Sequence, residues 1–311
     1  MKYNVISHLG GTPNPARNNH KTQLLRDIIS GVILSGDTGA VQVQRQLLDC
    51  HVAVLQGFVH PQSDKVPHLI FRQQILDKQK KDGNHTLIAD SNLFNYKVGT
   101  QHSANYHRYS FDGVFGNTGN YFGDNPDPLR WEMIAKELGI KLKKWRKGGN
   151  HILICCQRNG GWSMKGLPVP EWLVSTIHEI RKFSDRDIVI RPHPGDKRAM
   201  SYIKPLKARI ATKHKISNAR SITEDLKDAW CTITYNSSPG VASAIEGVPV
   251  YVTDPKPDTS QAHEISNVNI SSIEEPSMPD RIEWLQKIAM CHWSKDELRT
   301  GAAWQHFRKF I

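Results

Sequence analysis

Short apolar runs that stop at a glycine, a proline or a lone polar residue, each followed by a segment of helical spacing, recur along the whole chain. Such a run reads as a strand buried on both faces, and strands separated by helices lie parallel, because a parallel neighbour is reached only through a crossover. The alternation therefore predicts an α/β architecture built on parallel sheets. In the first half the strands fall at residues 3–8, 52–56 and 86–89, and the helices at 22–34 (Leu24, Leu25, Ile28, Ile29, Val32) and 68–79. In the second half strands at 151–156, 187–191, 230–235 and 248–253 alternate with helices at 171–182, 202–207 and 241–246, the pattern of a nucleotide-binding doubly wound domain.

At 311 residues the chain exceeds the usual single-domain size, so two domains are expected. The boundary is placed at the glycine pair that closes the basic segment 141–149, giving an N-terminal domain over 1–148, a C-terminal one over 149–280 and terminal helices over 281–311 that pack back toward the first domain. Residues 95–128, rich in Tyr, Asn, Gly and Asp, read as a long functional loop with a short strand near Val114. Ser221 with Glu224, and Ser294 with Glu297, have capping-box spacing, the second opening a helix that runs to about Lys309.

Five cysteines (Cys50, Cys155, Cys156, Cys231, Cys291) lack metal-ligand spacing and read as buried thiols without chemistry. Nothing approaches a membrane span or a secretory leader, so a cytoplasmic protein with no membrane partner is expected. The net charge of +11 is weighted to the front: 19 Lys and Arg face 12 Asp and Glu in residues 1–150, against 22 and 18 afterwards. An excess of that kind favours a polyanionic partner.

Two corners carry the chemistry. The strand 187–190 ends in Arg191-Pro192-His193-Pro194-Gly195-Asp196-Lys197-Arg198, where a guanidinium fork and an imidazole on a proline-stiffened turn suit phosphate oxygens. The strand 230–235 ends in Tyr235-Asn236-Ser237-Ser238-Pro239-Gly240 before a helix of small residues, so that its amides and hydroxyls form an anion site. A third loop, 157–166, offers Arg158 and Lys165 to neutralise a leaving diphosphate, in place of the metal used elsewhere; no Asp-x-Asp motif or His/Cys cluster is present, and no metal is expected.

The RPHP turn and the later TYNSSPGVASAIEGVPVYV segment resemble the donor domain of capsule-type and related GT-B glycosyltransferases, over residues 151–255. The resemblance implies two Rossmann-like doubly wound domains facing a central cleft, a nucleotide-sugar donor (a UDP-sugar ahead of CMP- or GDP-sugars), and phosphate contacts from Arg191, His193 and the Tyr235, Asn236, Ser237, Ser238 and Gly240 loop. The sequence departs from the pattern where a ribose-binding Glu stands five residues before Gly247. Ala242 occupies that place, and Glu246 is the nearest carboxylate.

An inverting transfer needs a base on the N-terminal domain. Asp90 at a strand end is the first candidate, with Asp112 and His20 as alternatives, while Gly10 and Gly11 allow close approach of donor or acceptor to the backbone. Lys143, Lys144, Arg146 and Lys147, with Trp145 and the aromatics Tyr106, Tyr109, Phe111, Phe115, Tyr121 and Phe122, suit a nucleic-acid surface. In size and basicity the chain is similar to bacteriophage enzymes that glycosylate hydroxymethylated bases. The leading expectation is thus sugar transfer to a modified pyrimidine in duplex DNA, in a host cytoplasm. Alternatives are a cell-surface or capsule glycan transferase, a non-catalytic nucleotide- or nucleic-acid-binding protein, and a sugar-nucleotide epimerase.

Overall fold

A computed structural model of the protein describes residues 1–57, 66–97, 105–115, 119–210, 214–217, 220–256 and 260–311. In chain order come β1 (Asn4–His8), α1 (His20–Leu34), β2 (Thr38–Gln42), β3 (Val52–Gln56), α2 (Pro67–Lys81), β4 (His85–Asp90), β5 (Tyr106–Phe111) and α3 (Pro128–Glu137). There follow β6 (His151–Cys155), α4 (Val169–Arg181), β7 (Asp187–Arg191), α5 (Ala199–Ile203), β8 (His214–Ile216), α6 (Ile222–Leu226), β9 (Ala229–Thr234), α7 (Pro239–Ile245) and β10 (Val250–Val252). The chain closes with α8 (Ile282–Ala289), β11 (His292–Ser294), α9 (Lys295–Arg299) and α10 (Ala302–Phe307). Two compact units result: residues 1–92, 101–134 and 285–311 form one, and 93–100 with 135–284 the other.

The second unit is a five-stranded, all-parallel sheet in the order β10-β9-β6-β7-β8. Its apolar runs fill both faces. Ile152, Ile154, Ile188, Ile190 and Ile233 meet α4 residues Trp172, Leu173, Ile177 and Ile180 on one side, while Leu153, Cys155, Ala242 and Val248 pack on the other. The strand order reverses direction between β6 and β9, so the crevice between the loops leaving those strands is the place where a doubly wound sheet receives ligands. Both capping boxes form as their spacing predicts, at Ser221 with Glu224 and at Ser294 with Glu297.

The first unit is a six-stranded sheet, β11-β5-β4-β3-β1-β2, parallel across β4-β3-β1-β2 and antiparallel where β5 and β11 join. Three of its strands escape the apolar-run criterion, the three-residue β11 (HWS) among them. β2 (TGAVQ) is a half-exposed edge, and β5 (YHRYSF) lies inside the stretch expected to be a loop. Every residue of β5 is buried, because β4 and β11 cover its edges and helices cover its faces; no strand forms at Val114. Residues 98–104 and 116–118 of that stretch lie outside the described residues. The helix expected to run from Ser294 to Lys309 breaks at Gly301, whose φ of 84° is the left-handed region, into α9 and α10.

Helix α1 packs on α9 at Gly31, where an added Cβ would lie 1.9 Å from the Leu298 carbonyl oxygen. Alanine is the better helix former by up to about 1 kcal/mol, yet backbone overlap of this kind cannot be relieved by a rotamer change. Gly31→Ala is expected to destabilise the protein by about 1–3 kcal/mol, read as a lower thermal midpoint. Asp37 ties the C-terminal segment in the same unit, accepting from Trp304 Nε1 at 2.7 Å and from Tyr3 N at 2.9 Å. Among the described residues no helix is long and apolar enough to cross a membrane, and all five cysteines are buried with free thiols.

Candidate functional site

Three loops leave the carboxyl ends of neighbouring strands in the second unit, and side chains lock them together. Asn159 N, on the loop after β6, donates to Asp196 Oδ2 on the loop after β7 at 3.0 Å. The same β6 loop meets the loop after β9 through Gln157 Oε1, which accepts from Asn236 N at 3.1 Å, and through Ser163 O, which accepts from Asn236 Nδ2 at 3.2 Å. Asp254, just past β10, is the hub. Its fully buried carboxylate takes Lys165 Nζ at 2.8 and 2.9 Å, Asn236 Nδ2 at 2.7 Å and Lys256 N at 3.0 Å. Lys165 has a φ of 50°, an uncommon conformation for a lysine.

On this frame sit the groups able to hold an anion. Arg158 is exposed, and its guanidinium passes so close to Gly195 that a Cβ there would stand 2.6 Å from Nη2 and 3.1 Å from His193 Cε1. Gly195 N donates to His193 Nδ1 at 3.0 Å, which leaves the ring proton on Nε2 as a donor. Burial, and then the Arg158 charge, pull the His193 pKa down, so the ring is a neutral donor near pH 7. The Ser237 hydroxyl oxygen is buried without a hydrogen-bond partner among the described residues, as is Thr234 Oγ1 at the end of β9. A guanidinium, an imidazole N–H and a waiting hydroxyl at one sheet edge suit the oxygens of a diphosphate.

Several expected donor residues point elsewhere. Arg191 shares a sheet face with Val189, and its guanidinium pairs with Asp225 on α6, a carboxylate with no exposure that also accepts from Ser217 Oγ at 2.7 Å. Glu246 lies at the far end of α7, at the amino edge of the sheet, bound by Lys143 and by Tyr96 OH at 3.2 Å; it is not at the donor corner. Ala242 is buried against Leu153 and Cys155. Tyr235 turns into the core edge-on to Trp172, and Gly240 makes room for Ala262 and Val250. Ser238 is exposed at the start of α7. Asp254, Gln157 and Asp196 were not singled out from the sequence; only the position of Asp254 just past a strand signalled it.

The basic segment is partly tied into the second unit. Lys143 N and Arg146 N donate to Ile245 O and Gly247 O, the Arg146 guanidinium caps the Leu226 and Lys227 carbonyls, and Trp145 lies under Arg281 at 3.7 Å while donating to Pro279 O at 2.7 Å. Lys144 contributes its carbonyl, which reaches so near Gly247 that only glycine fits there, and Lys147 is exposed beyond it. Tyr106, Tyr109, Phe111, Tyr121 and Phe122 are core residues, Phe122 stacking on Phe307 at 4.9 Å, so they form no stacking platform for bases.

In the first unit the strand order reverses between β1 and β3. At the carboxyl edge there, Gly10 and Gly11 are buried and admit protein: a Cβ on Gly10 would lie 2.7 Å from Gln44 O, and Arg72 Nε donates to Gly11 O at 2.6 Å. The expected approach of a ligand to these glycines is thereby filled. Asp90 ends β4 at this edge in a 2.6 Å ion pair with Arg108, and His20, opening α1, lies 4.7 Å from the His107 ring. Asp112 is at the opposite edge, bonded to His85 Nδ1 and Thr86 N at 2.7 Å, and the β4–β5 register separates it from Asp90 by the length of the strand.

Four imidazoles of this unit are held neutral by burial: His8, His107 and His306, each with its pKa pulled down to about 4, and His292, pulled down to about 3. An unfolded chain protonates them near pH 6.5, so it binds more protons than the folded one between pH 6.5 and 4. Stability is therefore complete above pH 6.5 and falls as pH drops toward 4, by about 3 kcal/mol for one such ring. Urea unfolding between pH 7 and 4 should show that slope, and His8→Gln should lessen it by the share of one ring.

No family model matches the sequence, and no curated protein does. Solved structures do. One chain from Thermosulfurimonas dismutans, KpsC, beta Kdo 2,4 transferase, is similar over 89% of this chain and 93% of its own at a TM-score of 0.52 and 12% identity. KpsC, beta Kdo 2,7 transferase, from the same organism is similar over 97% and 99% at 0.51 and 10%. The likeness is one of fold, and the fold is of the GT-B kind, an α/β chain with two Rossmann-like units.

Proposed function

We propose that the protein is a glycosyltransferase that takes a sugar from a nucleotide-sugar donor. The observation that carries this is the cross-tied edge of the second sheet, which holds Arg158, the His193 Nε2 proton and the Ser237 hydroxyl at the point where the strand order reverses. In this reading Arg158 and His193 bind the diphosphate and stabilise the charge that grows on it as the glycosidic bond breaks. Lys165, Asn236 and Asp254 position the loops.

Of the three candidate bases, His20 opens α1 beside the His107 ring. Asp112 is at the wrong edge, and Asp90 is committed to Arg108. The acceptor is a glycan rather than a hydroxymethylated base in duplex DNA, since Tyr106, Tyr109, Phe111, Tyr121 and Phe122 are built into the core and leave no aromatic platform for a displaced base. A UDP-sugar remains the first donor to test.

Incubation with UDP-, GDP- and CMP-sugars, each with a panel of oligosaccharides that includes Kdo-bearing glycans, and with hydroxymethylated duplex DNA, tests the reading. Transfer to a glycan is expected, with no retention of duplex DNA at low salt, where phosphate contacts are strongest. Transfer to DNA would overturn the acceptor. Interconversion of a donor without transfer would make the protein an epimerase, and absence of turnover with any donor would leave a binding protein.

A further inference from the structure

A cavity of about 540 Å³ opens at the amino edge of the second sheet, at the end of α7 opposite the donor corner. It lies wholly within one unit. Its volume is within the range of small-ligand sites, roughly 300–1,000 Å³. Four of its lining side chains are cationic (Lys97, Lys143, Arg146 and Lys227), and two, Glu224 and Glu246, are carboxylates.

The cations outnumber the carboxylates four to two, so a positive excess remains after Lys143 pairs with Glu246. Glu246 is consumed by Lys143 and by the Tyr96 hydroxyl, and it is buried. Glu224 turns back into its capping box, accepting from Ser221 N and Ser221 Oγ at 2.7 Å. Arg146 spends both terminal nitrogens on the carbonyls that end α6, which fixes its plane and leaves its buried Nε–H without an acceptor among the described residues. Lys227 is exposed at the rim, with no carboxylate within ion-pair distance among the described residues. The wall is rigid: Gly247, at a φ of 78°, lets the Lys144 carbonyl approach to a distance that a Cβ would forbid.

From this we infer that the cavity is a second anion-binding site, separate from the donor corner, which takes a saccharide-sized ligand bearing phosphate or carboxylate. A fixed guanidinium with ammonium groups around it, Lys97 held on the Gly139 carbonyl at 2.7 Å and Lys227 exposed at the rim, is an arrangement suited to oxyanions of either kind. On a glycan-modifying protein such a site would hold a charged residue of the glycan away from the reacting end.

The test uses the full chain carrying Arg158→Ala and His193→Ala, so that the donor corner contributes nothing. Inorganic pyrophosphate and, separately, glucuronate are titrated into it by calorimetry. One binding event is expected, weakened about tenfold by adding Lys227→Glu and less by Lys227→Ala, with circular dichroism unchanged. Binding of pyrophosphate alone assigns a phosphate-bearing ligand, and binding of glucuronate a carboxylate-bearing one. If neither probe binds, or if the affinity ignores Lys227→Glu, the inference fails, whatever the outcome at the donor corner.

Discussion

Replacement of Arg158 by alanine is expected to lower kcat/KM for sugar transfer by roughly 10²–10³-fold while leaving the thermal unfolding of the protein unchanged. The side chain is exposed and holds no part of the core, so its removal opens no cavity. Its guanidinium packs against Gly195 and the His193 ring, at the edge where negative charge would collect on the departing diphosphate. A group that meets charge developing in the transition state acts mainly on kcat, whereas one that grips substrate and transition state alike acts on KM. Steady-state kinetics at saturating acceptor separate the two. A variant with wild-type kinetics would remove Arg158 from the site.

The second large effect concerns stability and distinguishes two readings of Arg191. In a phosphate-binding role, losing Arg191 or its partner would raise the KM for donor and spare the fold. The observed pair, with a fully buried Asp225 carboxylate bonded to Arg191 and Ser217, makes the opposite forecast. Asp225→Ala strands a guanidinium whose counter-charge is gone and is expected to cost about 3–5 kcal/mol, a fall of roughly 10 °C in the midpoint of the second unit. Affinity for the sugar nucleotide, measured at a temperature where the variant is folded, should stay near the wild-type value. A stable variant that has lost donor affinity would return Arg191 to the donor site.

These two residues show how far the sequence could be read. The parallel strands β6, β7 and β9 were legible because burial on both faces makes them continuous apolar runs that no helix of similar length would carry. That same run places Arg191 at a strand end, next to His193, and the adjacency misleads. Arg191 is still within β7, on the face of Val189, where only the fold brings Asp225, whereas His193 lies in the turn beyond the strand.

Glu246 fails for a related reason: the helix between it and Asn236 carries it to the other edge of the sheet. β5 was illegible because its burial rests on partners distant in sequence. Arg108 meets Asp90, and β11, more than 180 residues later, pairs with its outer edge, so a polar, aromatic segment is a central strand. The hub Asp254 has no motif of its own, since its role depends on Asn236 and Lys165 arriving from other loops.

The proposed donor site holds the diphosphate with the loops after β6, β7 and β9 of the second unit. The direct measurement is calorimetric titration of the tightest-binding sugar nucleotide into the wild-type protein and into the Arg158→Ala, His193→Ala and Lys227→Glu variants. The prediction is a loss of about tenfold or more in affinity for each of the first two, with Lys227→Glu unaltered. Affinity unchanged in both Arg158→Ala and His193→Ala would contradict it.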